Sequence, residues 1–561
     1  MRLWGDTLKP KVFKVFLTAV LVYITFITIR PLLRTGYYPM HDDIQPIRLE
    51  QLDKCVRDFQ IPCRWVPDMG FGYGYPLFNY YAPLPYYLME IFHFSGFGIL
   101  ASIKIYFVLI TFLSVWGLYK LGAKFWKNSF AGYVAALFYA LLPYRAVNLY
   151  VRGAVGEYTA QALLPLVLLF SYSIIREKGK TSIIYFSVTL AFLLITHSIS
   201  GLIFMPFLLV WMVYLYLTEK DPKPKVVLKK GALSLFGVFC LCAFFVLPAF
   251  IEKDLVHSET LTTNYFDFRN HFSSIAQILF TNTWGYGSSL PGSNDQVMLG
   301  IGILYWVVPL FAFAVGFIVR KNRVTILFLN LIAWAALFLT HPKSLIIWDN
   351  ISMMRYVQFP WRFNAYAGVF FSLAAGFFAT VVAGKYLKVM LYGFFVIVLT
   401  LFYGSFFRPA RWLQISDQQK LTGENWTQQI TISVNDYLTK STSLSPENKA
   451  PELPKVLLGD VEFISVARGS DWQNWTVDVS KNAVVQAQIF YFPKWKVYID
   501  RKDTSFNYQN YNGLMTFDLP VGKHTVILKL TDTPVRVIAN VITLLGFPLF
   551  LLLYKKYKYE E

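Results

Sequence analysis

Two adjacent carboxylates, Asp42 and Asp43, follow His41 in the stretch Tyr37-Tyr38-Pro39-Met40-His41-Asp42-Asp43, a short way past an apolar run at 12–29. A carboxylate pair in that place could act as a base beside a lipid-borne substrate, or hold Mg2+ or Mn2+ between itself and a phosphate. The sequence does not demand a metal. The other reading open here is that Asp42 or Asp43 N-caps an amphipathic helix through Ile44, Ile47, Leu49 and Leu52.

Three further stretches carry groups able to bind or react. In Tyr150-Val151-Arg152-Gly153-Ala154-Val155-Gly156-Glu157-Tyr158, Arg152 and Glu157 form either a structural ion pair at a helix end or part of a substrate pocket. His197, in Thr196-His197-Ser198-Ile199-Ser200, is polar at membrane depth, which is costly unless it faces protein or a wet cavity; it is either a helix cap or a ligand contact. In Arg355-Tyr356-Val357-Gln358-Phe359-Pro360-Trp361-Arg362, Pro360 suits a first helical turn, where an arginine opposes the helix dipole. An arginine so placed points to an anionic partner. Arg362, with Arg355 as second choice, is the candidate for holding a lipid phosphate, the bland alternative being contact with ordinary headgroups.

These residues need a membrane to position them. Of 561 residues 55% are hydrophobic, 18% aromatic and only 15% charged, with a mean hydropathy of +0.44, more apolar surface than a water-soluble domain can hide. Apolar runs near the ~20 residues that cross a hydrocarbon core recur about twelve times, at 12–29, 99–119, 129–148, 159–175, 181–196, 202–217, 232–251, 298–318, 324–340, 362–382, 387–405 and 535–554. Lys and Arg collect at the N-terminus (Arg2, Lys9, Lys11) and in every second connection, including Lys120/Lys124/Lys127, Arg176/Lys178/Lys180, Lys220 to Lys230, Arg320/Lys321/Arg323, Lys385/Lys388 and Lys555/Lys556/Lys558. The positive-inside rule then places both termini in the cytoplasm. It also accounts for most of the net charge of +19 and leaves nucleic-acid binding unnecessary. The first run has no small-residue cleavage site and reads as a retained signal anchor.

With that topology the long polar segments, 31–98, 252–297, 341–361 and 406–534, all face outward. Gly70, Gly72 and Gly74 alternate with Phe71, Tyr73 and Tyr75, without the strand and helix that a dinucleotide loop needs; such aromatics either lie at the headgroup level or stack on a sugar. Cys55 and Cys63 share the first outer segment and can pair in an oxidising compartment, whereas Cys240 and Cys242 fall inside a span. No Cys/His spacing suggests zinc. Residues 461–466, 484–492, 494–500, 514–519 and 525–530 alternate with period two, which predicts an antiparallel β-sandwich. The expected organisation is a helical domain at 1–405, a β-rich domain at 406–534, and a last helix with a basic tail at 535–561.

The order of these landmarks, ending in Tyr491-Phe492-Pro493-Lys494-Trp495-Lys496-Val497-Tyr498-Ile499-Asp500, resembles bacterial membrane proteins labelled 6-pyruvoyl-tetrahydropterin synthase-related, near the YfhO-like proteins. The zinc-binding histidines of a true pterin synthase have no counterpart. Lys494 departs from the Pro-Gly-Trp associated with YfhO-like C-terminal domains. What the resemblance implies is a GT-C type fold, that of glycosyltransferases which take sugar from a polyprenyl-phosphate carrier. In such enzymes an acidic residue of the first outer loop is catalytic base or positions the acceptor, and Asp42 or Asp43 stands there. The implied activity is inverting transfer to a cell-envelope glycan, lipid or protein at the bacterial plasma membrane. Arg152 and Arg362 would steady the leaving phosphate, and His41, Glu157, His197 and Arg355 would complete the pocket. A flippase for lipid-linked glycans and an envelope assembly scaffold are the rival readings. The halves 1–280 and 281–561 show no convincing repeat of the kind transporters often carry.

Overall fold

The structure is a computed structural model and describes residues 10–292, 295–432, 434–443 and 445–557. Arg2, Lys9 and Lys558 of the basic pattern lie outside the described residues. Among the described residues eight helices are long and apolar enough to cross a membrane, or up to ten if two bent pairs each count as one span. The pairs are Ser129–Ala140 with Pro143–Arg152, bent by 49°, and Arg323–Phe338 with Pro342–Asn350, bent by 92°. In both, a proline opens the second piece, where its fixed φ and missing N–H suit a helix start and not a continuation. Two shorter apolar helices, Thr181–Thr196 and Ile303–Ile318, occupy the other predicted runs.

The helices that matter below are α1 (Pro10–Ile29), α2 (Gln45–Arg57), α3 (Leu84–Phe94), α4 (Ile99–Phe125), α5 (Ser129–Ala140), α6 (Val155–Arg176), α7 (Thr181–Thr196), α8 (Ser198–Leu217) and α9 (Pro224–Ile251). The two ends of α4 separate the two kinds of connection. At its start, Asp417 accepts from the backbone N–H of Ile99 (2.6 Å) and Leu100 (3.2 Å), a carboxylate on otherwise orphaned helical donors. At its finish, Lys124 pairs with Glu177 at 2.7 Å, and the Glu177 carbonyl accepts from Lys230 at 2.7 Å. The polar segments also meet one another: Tyr37 bridges Leu413, Val256 bridges Thr439, Arg269 pairs with Asp349 at 2.6 Å, and Gln358 donates to the Leu261 carbonyl at 2.8 Å.

Within 406–534 the residues ahead of the sheet form a strap that returns over the first polar segment. Six strands follow, β1 (Lys455–Arg468), β2 (Trp472–Phe490), β3 (Trp495–Ile499), β4 (Lys502–Thr504), β5 (Leu514–Leu519) and β6 (Gly522–Leu530). They hydrogen-bond as one antiparallel sheet in the order β1-β2-β6-β3-β4, with β5 also on β2. The antiparallel β domain expected from the period-two runs is present, its strands joined in one continuous ladder. The reason is β2, whose 19 residues pair with β6 along the first half and β5 along the second. Pro520, which has no N–H to offer, separates those two partners.

The sheet is docked as well as tethered. Tyr73 stacks on Phe490 with centroids 4.9 Å apart, and Trp65 meets Trp495 edge-on at 5.6 Å. A Cβ on Gly74, whose φ is +74°, would lie 2.6 Å from the Trp65 indole nitrogen. The aromatic segment 71–75 thus packs the first polar segment against the sheet. Cys55 and Cys63 form a disulfide beside it, and Cys240 and Cys242 are free and buried.

Glu90 on α3 is buried with no hydrogen-bond partner for either carboxyl oxygen. Nearby Asp53 is held by Arg57 at 2.7 Å and faces His93 at 3.9 Å. Burial first, and then the charge of Asp53, push Glu90 up to about 8 from its ordinary 4.5. A carboxyl raised in the folded state supports folding fully below its unfolded pKa and loses that support as pH rises through the folded value. Glu90→Gln is accordingly expected to raise Tm by about 1–4 °C at about pH 9, the gap closing towards about pH 5. A pH series of thermal melts on both proteins in detergent checks this.

Candidate active site

The site is built where α5 gives way to α6. Arg145, 1% exposed, donates to the carbonyls of Tyr139 (2.9 Å) and Ala140 (3.3 Å), closing the last turn of α5 with a cation at its negative end. Val147–Arg152 then forms a π-helical turn, ended by Gly153 at φ +64°. Such turns are rare and concentrate at functional sites. A Cβ on Gly153 would overlap the Sδ of Met40. Because none is there, the Met40-His41-Asp42 turn lies directly on the π turn. The N–H groups of His41 and Asp42 donate to the carbonyls of Val151 and Arg152, each at 2.9 Å, and Gln45 donates to the Gly153 carbonyl at 2.9 Å. Gly153→Ala combines a left-handed φ on a residue with a Cβ and a collision. We expect it to cost about 2–4 kcal/mol and to disable the site, read as a lowered Tm and lost activity; a near-wild-type Tm would contradict this packing.

Glu157, in the first turn of α6, collects the cations. Arg152 Nη1 is 2.6 Å and Arg362 Nε 3.3 Å from Glu157 Oε2; only the first contact also has hydrogen-bond geometry. Tyr144 donates to Glu157 Oε1, and Asn148 reaches it at 3.3 Å. Arg362 Nη1 is spent on the Val357 carbonyl (2.8 Å) and Gln358 (3.2 Å). Below lie two stacked rings, with Arg152 4.6 Å from the Trp361 centroid and Arg362 5.0 Å from that of Phe359. Gln358 takes φ +63°, strain of the sort that binding sites store. Arg152, Arg362 and Glu157 are all under a tenth exposed, so two buried guanidiniums share one carboxylate. The excess positive charge is unspent, since Arg152 Nε and Nη2 and Arg362 Nη2 make no hydrogen bond among the described residues.

The acidic pair is split. Asp42 is exposed, its carboxylate makes no hydrogen bond among the described residues, and its charge acts on both Arg152 and Arg362. Asp43 turns away to Lys420 of the strap, at 2.9 Å; burial raises its pKa, and Lys420 opposes that rise. Neither aspartate caps a helix, because α2 begins at Gln45, two residues past Asp43, with Ile44 as N-cap and no side-chain cap bond. His41 also lies at the surface, its Nε2 on the Tyr286 carbonyl at 2.9 Å.

His197 is the N-cap of α8, accepting from the Ser200 N–H at 3.2 Å. Its ring lies against Gly156, so it props the Glu157 turn. Arg355 does not join the cluster; it is exposed and donates to the Ser352 carbonyl at 3.0 Å. Among the described residues no three His, Cys, Asp or Glu side chains converge as a metal site. Mg2+ or Mn2+ would find Asp42 as its one uncommitted carboxylate of the pair.

Sequence reasoning did not pick out Tyr144, Asn148 and Lys420. The first two recur with Arg152 at intervals of four residues, a helical-face signal hidden by the apolar run around them. Lys420 reaches Asp43 across 377 residues and has no local signature.

The fold and this centre define a polytopic helical membrane protein with a C-terminal antiparallel sheet and a buried arginine–glutamate cluster under a polar cap. The chain belongs to the 6-pyruvoyl-tetrahydropterin synthase related family of membrane proteins, whose sequence model matches residues 78–408. A Lactococcus lactis subsp. cremoris protein, described as uncharacterized, is 21% identical over 237 residues, covering 41% of this chain and 38% of its own length. Among solved structures, the mycobacterial arabinofuranosyltransferase AftD is similar at 14% identity and a TM-score of 0.44, over 73% of this chain and 28% of that one. The oligosaccharyltransferase of Archaeoglobus fulgidus is similar at 14% identity and a TM-score of 0.43, over 71% and 57%. The chain thus spans well under two thirds of each of these proteins, and likenesses of that degree assign no residue roles.

Proposed function

We propose that the protein is a GT-C type membrane glycosyltransferase of the bacterial plasma membrane, moving a sugar from a polyprenyl-phosphate donor to a cell-envelope acceptor on the outer face. The observation that carries this reading is an exposed carboxylate, Asp42, with no hydrogen bond among the described residues, set over a net-positive buried centre with unspent guanidinium donors. Such donors suit a phosphate, and a free carboxylate beside them suits proton acceptance. Asp42 takes the proton of the acceptor hydroxyl as that oxygen bonds to the anomeric carbon. The bond from that carbon to the phosphate oxygen breaks from the opposite side, inverting the configuration. Arg152 and Arg362 receive the charge that grows on the departing phosphate, already oriented by Glu157, Tyr144 and the ring floor.

Proteoliposomes offered a panel of polyprenyl-phosphate sugars and envelope-derived acceptors test it. Release of free polyprenyl phosphate with labelled acceptor is the expected result. Intact labelled lipid crossing the bilayer with no donor consumed would instead make the protein a flippase.

A further inference from the structure

Residues 284–288 and 295–297 run side by side as a short two-stranded turn in which Tyr286 bridges Val297 and the Gly287 N–H donates to the Gln296 carbonyl at 2.9 Å. One side of this turn touches the site just described: the Tyr286 carbonyl accepts from His41 Nε2 at 2.9 Å, and the Trp361 indole donates to Ser289 at 3.2 Å. The other side forms a cleft of about 320 Å³ lined by Gln277, Thr281, Thr283, Trp284, Asp295 and Gln296, among others, within the size range of small-molecule sites.

The chemistry of the lining is selective. No lysine or arginine lines it, so it has nothing for a phosphate or an acidic sugar. Its Asp295 is already satisfied, accepting from the Leu290 N–H and from Gln277, both at 2.8 Å. Side-chain amides, hydroxyls and one indole remain, and Trp284 is held in place by stacking on Phe406 at 4.7 Å. That set donates to and accepts from hydroxyl groups and offers a ring beside them. A lipid chain would want an apolar wall instead.

We infer that this cleft is a subsite for a neutral saccharide, the acceptor glycan, separate from the cationic pocket that takes the donor phosphate. The inference rests on the glycosyl-transfer reading for the word acceptor, and on the cleft itself for the word saccharide. His41 touches this turn at the Tyr286 carbonyl, one residue from the cleft-lining Gly285, and Asp42 is next along the chain, so the cleft and the base lie on the two sides of one short turn.

Binding can be read without turnover. Saturation-transfer NMR on the full-length protein in nanodiscs would use maltose, cellobiose and lactose at millimolar concentration, with glucose 6-phosphate as the charged control. Transfer to at least one neutral disaccharide is expected in wild type, falling at least severalfold in Gln296→Ala, whose side chain is exposed and makes no hydrogen bond among the described residues, and in Thr283→Ala. No transfer to any of the three sugars, or signals undiminished in both cleft variants, would overturn the inference. Saccharide binding without sugar transfer from any donor would leave the cleft standing and sink the transferase. Transfer with an acceptor KM unchanged in Gln296→Ala and Thr283→Ala would sink the cleft and leave the transferase.

Discussion

Asp42→Asn is expected to slow sugar transfer by about 10²–10⁴-fold, the usual worth of a positioned general base, with donor binding and Tm close to wild type. The substitution keeps the size of the side chain and touches no folded contact. The carboxylate makes no hydrogen bond among the described residues, while the bond that fixes this turn, from the Asp42 N–H to the Arg152 carbonyl at 2.9 Å, is backbone. What disappears is the ability to accept a proton and the negative charge facing the two arginines. Asp43→Asn should behave oppositely: its carboxylate is committed to Lys420, so the neutral amide leaves a buried lysine without its ion pair and lowers Tm, with a much smaller change in rate per folded molecule. Single-turnover transfer on size-selected, monodisperse protein separates the two. If Asp43→Asn lost the rate and Asp42→Asn did not, the assignment of the base would have to be reversed.

Glu157→Gln is expected to be the most damaging change for stability, costing about 3–5 kcal/mol, as when one member of a buried ion pair is removed. Arg152 and Arg362 would face each other without the carboxylate that lies 2.6 and 3.3 Å away, and neither guanidinium can shed its proton. Replacing Arg362 by Met removes one of the two repelling charges. The double variant Glu157→Gln/Arg362→Met should therefore be more stable than Glu157→Gln alone, though inactive because the phosphate has lost a ligand. Thermal melts of the single and double variants decide it. A double variant no better than the single would mean that Glu157 is needed for its hydrogen bonds to Tyr144 and Asn148 more than for its charge.

Much of the architecture could be read from local chemistry. Apolar runs, basic connections and period-two segments each state their own structure, and the predicted runs fall on helices or broken helices. The Arg152, Glu157, His197 and Arg362 motifs were visible as charges where charge is expensive, and they do gather in one place. The sequence could not say that they satisfy each other first, because an ion pair and a ligand site need the same residue types. Nor could it separate Asp42 from Asp43: their difference is made by Lys420, delivered by a strap from the far end of the chain. Arg355 stood as second choice to Arg362, and the turn at Gln358, with its positive φ, sends one outward and the other in. The break between β5 and β6 was legible as the gap between the period-two runs 514–519 and 525–530, but not that both lie along a single partner strand.

The strap has a consequence for how the protein is made. Chains are synthesised from the N-terminus at roughly 5–20 residues per second, and domains tend to fold as they emerge. The turn bearing Asp42 and Asp43 appears early, yet Leu413, Asp417 and Lys420, which hold Tyr37, the start of α4 and Asp43, arrive only after almost all the bundle has been threaded into the membrane. The final helix, Pro534–Lys556, then locks Arg536 onto Glu252 at 2.9 Å. The ribosome therefore carries a chain whose Asp42–Asp43 turn stays unlatched until the strap has been made. A chain cut short after the eleventh apolar run would lack Leu413, Asp417 and Lys420, and with them the contacts that fasten the turn.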